Sequence, residues 1–487
     1  MSKPFFILFS LFITVIALGG CTTNPATGEN QFTALMSPEQ EVQVGAQEHQ
    51  KILAQYGLYK DTTLQNYINT IGNRVATNTE RADVQYKFFL LDSPVVNAFA
   101  LPGGYIYITR GLLALANSES EVASVLAHET GHITARHSAE RYSRGVVTSL
   151  GAMILSSAVG SSGVSEALGV GSDLYMKSYS RGQESQADSL GIRYLNRGGY
   201  TPDAMASFLS QLQAESQLQA HIDKKADNAA GYFSTHPATA DRVSLTKQEA
   251  ASYPKGGAVK RNEYLKSIDG VLYGDSPSQG FVRGQNFFHT EMGFKFSVPD
   301  GYKIINQPSN IIAQNERNGA LIVFDFAQNK QNLSPMTFLK DVWVGDSPVS
   351  QMEEINVNGM KGATASLQGA LNGRAVQVQL IAIRWDNTQM ARFQVILPSA
   401  LSSGDLTALK RATYSFSPLS AQDKNALRPY RIKIIAAKNG DSISSLSGRM
   451  AQIDSSGDFR DSRFRMLNAL RAGDVVHAGS LYKIIVE

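Results

Sequence analysis

The feature that most constrains this chain is His128-Glu129-Thr130-Gly131-His132, which lies in a strongly helix-forming segment and sets two imidazoles one helical turn apart. Side chains at i and i+4 share a helix face with Cβ atoms about 5–6 Å apart. That spacing lets two imidazole nitrogens reach one Zn²⁺ at about 2.0–2.1 Å. Glu129 follows the first histidine directly and points to the flank of that face, where it can handle the proton of a metal-bound water instead of binding the metal. The competing reading is a chance match, with both histidines hydrogen-bonded on an ordinary amphipathic helix. The helix itself is well specified: Ser118 and Glu121 fit a capping box, and Val122, Val125 and Leu126 face the core.

Catalytic zinc takes three protein ligands plus water, so a third ligand is required. Glu184 is the candidate, opening a helix that continues through Leu190, Ile192 and Leu195. Asp188 lies one turn further on the same face, where it can accept the other ring N–H of a ligating histidine. On pattern alone, Glu184 and Asp188 fit a solvated acidic face equally well. His137 does not complete a metzincin pattern, which needs glycine and histidine where this chain has Ala135 and Ser138. On a continuous helix it would sit about 140° round from His132, facing elsewhere.

At 487 residues the chain has room for about three units. A formal charge of only +3 gives no reason to expect nucleic acid, which calls for a clustered basic face. Lys3 and the apolar run Phe5 to Leu18 read as a signal peptide over 1–20, too short to span a bilayer comfortably at about 20 residues. The run ends in Leu18-Gly19-Gly20-Cys21, which resembles the lipobox of bacterial lipoprotein precursors and implies acylation of Cys21. Thr22 after it, in place of aspartate, implies by the same resemblance a periplasmic protein anchored in the outer membrane. Cys21 is the only cysteine, so no intramolecular disulfide can form.

Residues 21–36 read as a tether. A helix starts at Ser37-Pro38-Glu39-Gln40, and a second at Asp61 with the stripe Leu64, Ile68, Ile71 and Val75. Strands are expected over Val84 to Leu91, Val95 to Leu101 and Tyr105 to Thr109, with a type II turn at Pro102-Gly103. From spacing alone, Asn97-Ala98-Phe99-Ala100 is an ordinary hairpin strand. Gly145 to Gly171 reads either as a loop with a short apolar helix over the cleft or as a core helix, and its glycine and serine breaks argue against a membrane span.

Taken together, His128-Glu129-x-x-His132, Glu184-x-x-Ala187-Asp188, the run Asn97 to Gly104, and Ser234-Thr235-His236-Pro237 with Arg242 resemble the CAAX prenyl endopeptidase superfamily, nearest its soluble periplasmic lipoproteins. The resemblance spans Asn24 to Ala250. It implies a gluzincin-type protease with one Zn²⁺ per chain held by His128, His132 and Glu184, with Glu129 as base. It also implies that the edge Asn97, Ala98, Phe99 and Ala100 pairs with substrate, and that His236 and Arg242 lie beside the metal, where either would stabilise the oxyanion. The membrane helices of other members are lacking, so prenylated substrates are not implied.

The expected architecture is α+β: a mainly helical protease domain over 37–253 with a small edge-exposed sheet, a linker over 254–275, an α+β domain of unassigned role over 276–420, and a small module over 431–487. In the α+β domain, Phe287 to Val298, Ala320 to Phe326, Val376 to Ile383 and Met390 to Leu397 read as strands, and Leu406 to Ala412 as a helix. The last module, with Gly440-Asp441, Leu467-Asn468-Ala469-Leu470, Gly473-Asp474 and Ala478-Gly479, resembles a βααβ LysM domain, which implies affinity for peptidoglycan; a structural cap is the alternative. The functional expectation is an endopeptidase acting on misfolded or unassembled envelope proteins. The rival is a non-catalytic assembly factor or chaperone held at the cell wall.

Overall fold

A computed structural model describes residues 21–147, 178–223, 231–237, 241–371, 374–399, 401–453 and 457–487. The expected signal peptide, and most of the Gly145 to Gly171 stretch, lie outside these residues. The chain forms two compact units, one made of Met1–Tyr273 with Arg431–Val486 and the other of Gly274–Tyr430 with the terminal Glu487. Among the described residues no helix is long and apolar enough to cross a membrane.

The first unit opens with a hairpin of β1 (Cys21–Thr23) and β2 (Asn30–Phe32). Helix α1 (Pro38–Tyr56) starts at the expected capping box: Ser37 Oγ accepts from Gln40 N, and Gln40 Oε1 accepts from Ser37 N at 2.8 Å. Helix α2 (Thr62–Ala76) is capped by Asp61, whose carboxylate accepts from Leu64 N at 2.9 Å, and its stripe Leu64, Ile68, Ile71 and Val75 is buried. Strands β3 (Lys87–Leu91), β4 (Ala98–Leu101) and β5 (Tyr105–Thr109) form a sheet in the order β3-β5-β4, parallel between β3 and β5 and antiparallel between β5 and β4. The connection through Pro102 requires glycine at 103: φ is +76°, and a Cβ there would stand 2.7 Å from Val42 Cα and 2.8 Å from the Glu41 carbonyl oxygen. Strand β4 ends the sheet and its four side chains are buried.

Helix α3 (Arg110–Leu115) leads into α4 (Glu119–Thr134), the helix of the two histidines, every residue of which is buried. Ser118 Oγ accepts from Glu121 N at 3.2 Å as expected. The Glu121 carboxylate departs from the expected box: it accepts from Asn117 N and Ser207 Oγ, both at 2.6 Å, because a fully buried helix start brings it competing donors. Packed on α4 is α5 (Arg181–Arg197), where a Cβ on Gly191 would meet His128 N at 3.1 Å, so the glycine allows close helix contact. Helices α6 (Ala204–Asp223), α7 (Tyr232–Thr235), α8 (Arg242–Ala250) and α9 (Arg261–Ser267) follow. Residues 254–275, read as a linker, carry α9 and bury Tyr264, Leu265 and Ile268.

The second unit is sheet-rich. Strands β6 (Phe281–Arg283), β7 (Asn286–His289) and β8 (Phe294–Ser297) join β16 (Ser417–Pro418) in one sheet. The other sheet is antiparallel throughout, with β9 (Lys303–Asn306), β10 (Ile311–Gln314), β11 (Leu321–Gln328), β12 (Ser350–Val357), β13 (Met360–Leu371), β14 (Arg374–Arg384) and β15 (Gln389–Pro398) in the order β12-β13-β14-β15-β11-β10-β9. The run Phe287 to Val298, read as one strand, is a hairpin, with Gly293 at φ +79° in its turn. Val376, Val378 and Leu380 pack with Phe338 and Leu339, while Ile381 and Ile383 join Phe287, Phe296, Phe324 and Phe393, so both faces of the long sheet are covered. Helix α10 (Ser403–Tyr414) covers the expected Leu406 to Ala412 and contributes Leu409 and Ala412 to the second of these clusters.

The C-terminal segment returns to the first unit. Strands β17 (Arg431–Ala436) and β18 (Leu481–Val486) pair antiparallel, with α11 (Ile443–Ser447) and α12 (Arg460–Leu467) between them. Lys483 is fully buried, and its Nζ donates to the carbonyls of Ala114, Leu115 and Ala116 at 2.9, 2.9 and 2.8 Å. One ammonium thus satisfies the orphan carbonyls that end α3.

Candidate metal centre

The i, i+4 spacing on α4 brings His128 Nε2 and His132 Nε2 to 3.1 Å of each other. Glu184, in the first turn of α5, places Oε2 at 3.6 Å from His128 Nε2 and Oε1 at 3.4 Å from His132 Nε2. His236, just after α7, joins them: its Nδ1 is 3.3 Å from His128 Nε2 and 3.0 Å from Glu184 Oε1. All four residues are buried, and their donor atoms lie within 4.8 Å of one another. For ligands about 2.0–2.1 Å from a tetrahedral zinc, ligand atoms stand about 3.3–3.4 Å apart. The observed 3.0–3.6 Å separations fit that figure.

Around these donors the carboxylates are held firmly. Asp188 Oδ1 lies 2.9 Å from His128 Nδ1, the position from which it can receive that ring's N–H. Arg242 donates through Nε and Nη2 to the two oxygens of Asp188, each at 2.8 Å, and its Nη1 lies 2.8 Å from Glu184 Oε2. The Arg242 fork thus engages two carboxylates, Asp188 and Glu184. Burial would raise the Glu184 carboxyl, but His236, with hydrogen bonds to His132 and His236, outweighs it and holds the group well below the usual carboxylate range. Burial pushes His132 well below the ordinary imidazole value and leaves it neutral, the form that offers a lone pair.

Glu129 is 0 % exposed, and among the described residues neither of its carboxylate oxygens has a hydrogen-bond partner. Burial raises its pKa, with the charges of His236 and His128 opposing. Its Oε1 is 3.4 Å from His236 Nε2. A buried carboxylate left bare beside four clustered donors is suited to receiving a proton.

Of the other expected residues, Asn97 precedes β4, Ala98, Phe99 and Ala100 lie in it, and the strand lies against α4. Val96 O accepts from Tyr232 N at 2.8 Å, tying this edge to the segment that carries His236. Cys21 opens β1, in the hairpin whose Asn24 Nδ2 donates to Ala135 O at 3.2 Å just past α4. Three side chains went unrecognised in the sequence. Tyr179 stacks on His132 at 3.7 Å and Tyr232 on His236 at 4.4 Å, and isolated tyrosines carry no spacing signal. The third is His137, whose Nδ1 lies 2.8 Å from His132 Nδ1. The helical projection failed because α4 ends at Thr134 and Arg136 takes φ +54°, which turns the chain back.

Residues 62–250 match the family described as Peptidase family M48. The beta-barrel assembly-enhancing protease of Yersinia pestis is 30% identical over 366 residues, covering 68% of this chain and 73% of that protein. The protein of the same name from Escherichia coli (strain K12) is 30% identical over 237 residues, 47% of each chain, so the match spans about half of that relative. The mitochondrial metalloendopeptidase OMA1 of Schizosaccharomyces pombe is 26% identical over 225 residues, covering 45% of this chain and 63% of that protein.

Proposed function

The chain belongs to peptidase family M48, and from that premise we propose that it is a periplasmic endopeptidase, with one Zn²⁺ per chain, that hydrolyses peptide bonds of misfolded or unassembled envelope proteins. The carrying observation is the buried His128, His132, Glu184 and His236 donor set with the bare Glu129 carboxylate beside it. When bound there, zinc would polarise the scissile carbonyl and bring the pKa of its water to about 7.

The chain's own groups supply the rest. Glu129 accepts a proton from the attacking water and returns it to the leaving amine, helped by a carboxyl pKa raised by burial. Asp188 orients His128, and Arg242 orients Asp188 and Glu184. Four protein donors close a tetrahedron, whereas a hydrolytic site keeps one position for water. His128, His132 and Glu184, carried on the packed pair α4 and α5, would hold the ion, and His236, on the separate segment after α7, would be the donor that leaves that position to water. The edge Asn97 to Ala100, most of it in β4 at the end of its sheet, is the candidate for pairing with an extended substrate.

The substrate class is supported by the name shared by the Yersinia and Escherichia relatives. Outer-membrane anchoring through Cys21 is supported by the Leu18-Gly19-Gly20-Cys21 sequence, and peptidoglycan affinity by the strand, helix, helix, strand order of the C-terminal segment. The test is zinc content together with casein cleavage by the purified protein. We expect about one zinc per chain and cleavage that stops on chelation. Absence of zinc, or cleavage that survives chelation, would refute the reading.

A further inference from the structure

We propose that His137 is a positioning residue that fixes His132 as an Nε2 ligand, at the head of a hydrogen-bond chain that runs through Gln186 to Glu29. The inference rests on the reading of His132 as a metal ligand. Its links are His132 Nδ1 to His137 Nδ1 at 2.8 Å, His137 Nε2 to Gln186 Oε1 at 3.0 Å, and Gln186 Nε2 to the Glu29 carboxylate.

Proton directions along this chain follow from one requirement. His132 Nε2 faces the donor cluster, 3.1 Å from His128 Nε2 and 3.4 Å from Glu184 Oε1, so it must present a lone pair to a metal. A neutral ring then carries its hydrogen on Nδ1, which donates to His137 Nδ1. His137, accepting there, carries its own hydrogen on Nε2 and donates to Gln186 Oε1. The Gln186 amide nitrogen is left to donate to Glu29, an acceptor-only carboxylate. Every bond points the same way, and reversing the first would put a hydrogen on the nitrogen that faces the metal.

The two α4 ligands are therefore oriented by different devices. His128 has the carboxylate of Asp188 at 2.9 Å. His132 has a neutral imidazole, itself fully buried, with the rings 5.0 Å apart and inclined at 70°. His137 reaches this place only because the chain breaks at Arg136, and that break is tied down on both sides. Arg136 donates to Met36 O at 2.6 Å and to Glu41 Oε1 at 3.0 Å, and Asn24 Nδ2 donates to Ala135 O at 3.2 Å. Gln186 stands two residues after Glu184 on α5, so the helix that carries the carboxylate ligand also receives the chain from His137.

The experiment measures zinc dissociation constants and the visible spectrum of the cobalt-substituted protein for the full chain and for His137→Leu, His137→Asn, Gln186→Leu and His132→Ala. Leucine removes the acceptor, whereas asparagine places a carbonyl oxygen near the former Nδ1. We expect His137→Leu to weaken zinc by about 10–100-fold and to shift the cobalt bands. His137→Asn should recover most of both, and Gln186→Leu should show a smaller loss. Wild-type affinity and spectrum in His137→Leu, with binding lost in His132→Ala, would overturn the positioning role and leave the metal site standing. Equal weakening in the leucine and asparagine variants would make His137 a packing residue and overturn it too. If His137→Leu does not fold, Gln186→Leu decides, and unchanged affinity there refutes the chain. A wild-type protein that binds no zinc would refute the metallopeptidase reading and the inference together.

Discussion

Arg242 Nη2 and Asp188 Oδ1 lie 2.8 Å apart, and that same aspartate oxygen is 2.9 Å from Nδ1 of His128, so a buried cation holds the carboxylate that faces a proposed metal ligand. Arg242→Met leaves the buried Asp188 and Glu184 without their counter-charge. Breaking one side of a buried pair costs about 3–5 kcal/mol. We expect a loss of that order in denaturant unfolding of the metal-free protein, together with weaker zinc binding. Arg242→Lys should rescue only part, because a lysine cannot reproduce the fork that grips both Asp188 oxygens.

Lys483 gives a prediction about the C-terminal segment. Its ammonium is buried with three carbonyls as partners, and burial holds its pKa well below the ordinary lysine value. Lys483→Met keeps the apolar stem and strands those carbonyls, at about 1–3 kcal/mol for each group left unsatisfied. Denaturant unfolding of the full chain should show a loss on the order of 3 kcal/mol or more. An unchanged midpoint would mean that water replaces the ammonium without cost.

The second unit carries its own pH sensor in His289. Its Nδ1 accepts from Met292 N at 3.2 Å, and burial lowers its pKa to about 4. The unfolded state, with an ordinary value near 6.5, binds the proton first as pH falls, so stability declines from about pH 6.5 down to about 4. Both tryptophans of the chain, Trp343 and Trp385, lie in this unit, so their fluorescence reports its unfolding. The midpoint should fall with pH across that window, and less steeply in His289→Gln.

Much of the site is legible in the sequence because its signals are local. The His128 and His132 spacing, the caps at Ser37 and Asp61, and the stripe from Leu64 to Val75 depend on neighbours within a turn or two. What was illegible depends on distant or broken geometry. His137 was projected along a helix that stops at Thr134, and the αL residue Arg136 that redirects it has no side-chain signature. Lys483 finds its partners in backbone carbonyls about 370 positions away, and main-chain oxygens look alike in every sequence. Residues 254–275 read as a linker because glycine and lysine recur through them, yet Tyr264 and Leu265 of α9, with Ile268 just after it, are buried. The family resemblance implies Arg242 only as a neighbour of the proposed metal, and its paired distances to Asp188 and Glu184 give it a clamping role.

The glycine turn beside the edge strand is a sharper test of packing. Gly103→Ala places a Cβ 2.7 Å from Val42 Cα at φ +76°, where an L side chain is already strained. We expect a cost of at least about 1–3 kcal/mol in unfolding, since neither backbone neighbour is a flexible tip that can yield.

In the proposed mechanism hydrolysis turns on Glu129, buried and without a hydrogen-bond partner among the described residues. Glu129→Gln keeps the size and shape of the side chain but cannot take the water's proton, so metal and fold should survive while chemistry fails. A general base contributes about 10²–10⁴ in rate, or about 3–5 kcal/mol of barrier. The deciding measurement is proteolysis of casein and of an unfolded envelope protein by wild type and Glu129→Gln at equal zinc occupancy and equal melting temperature. Cleavage by wild type, with a loss of at least 10²-fold in the variant, is the expected result; equal cleavage by the two proteins would contradict it.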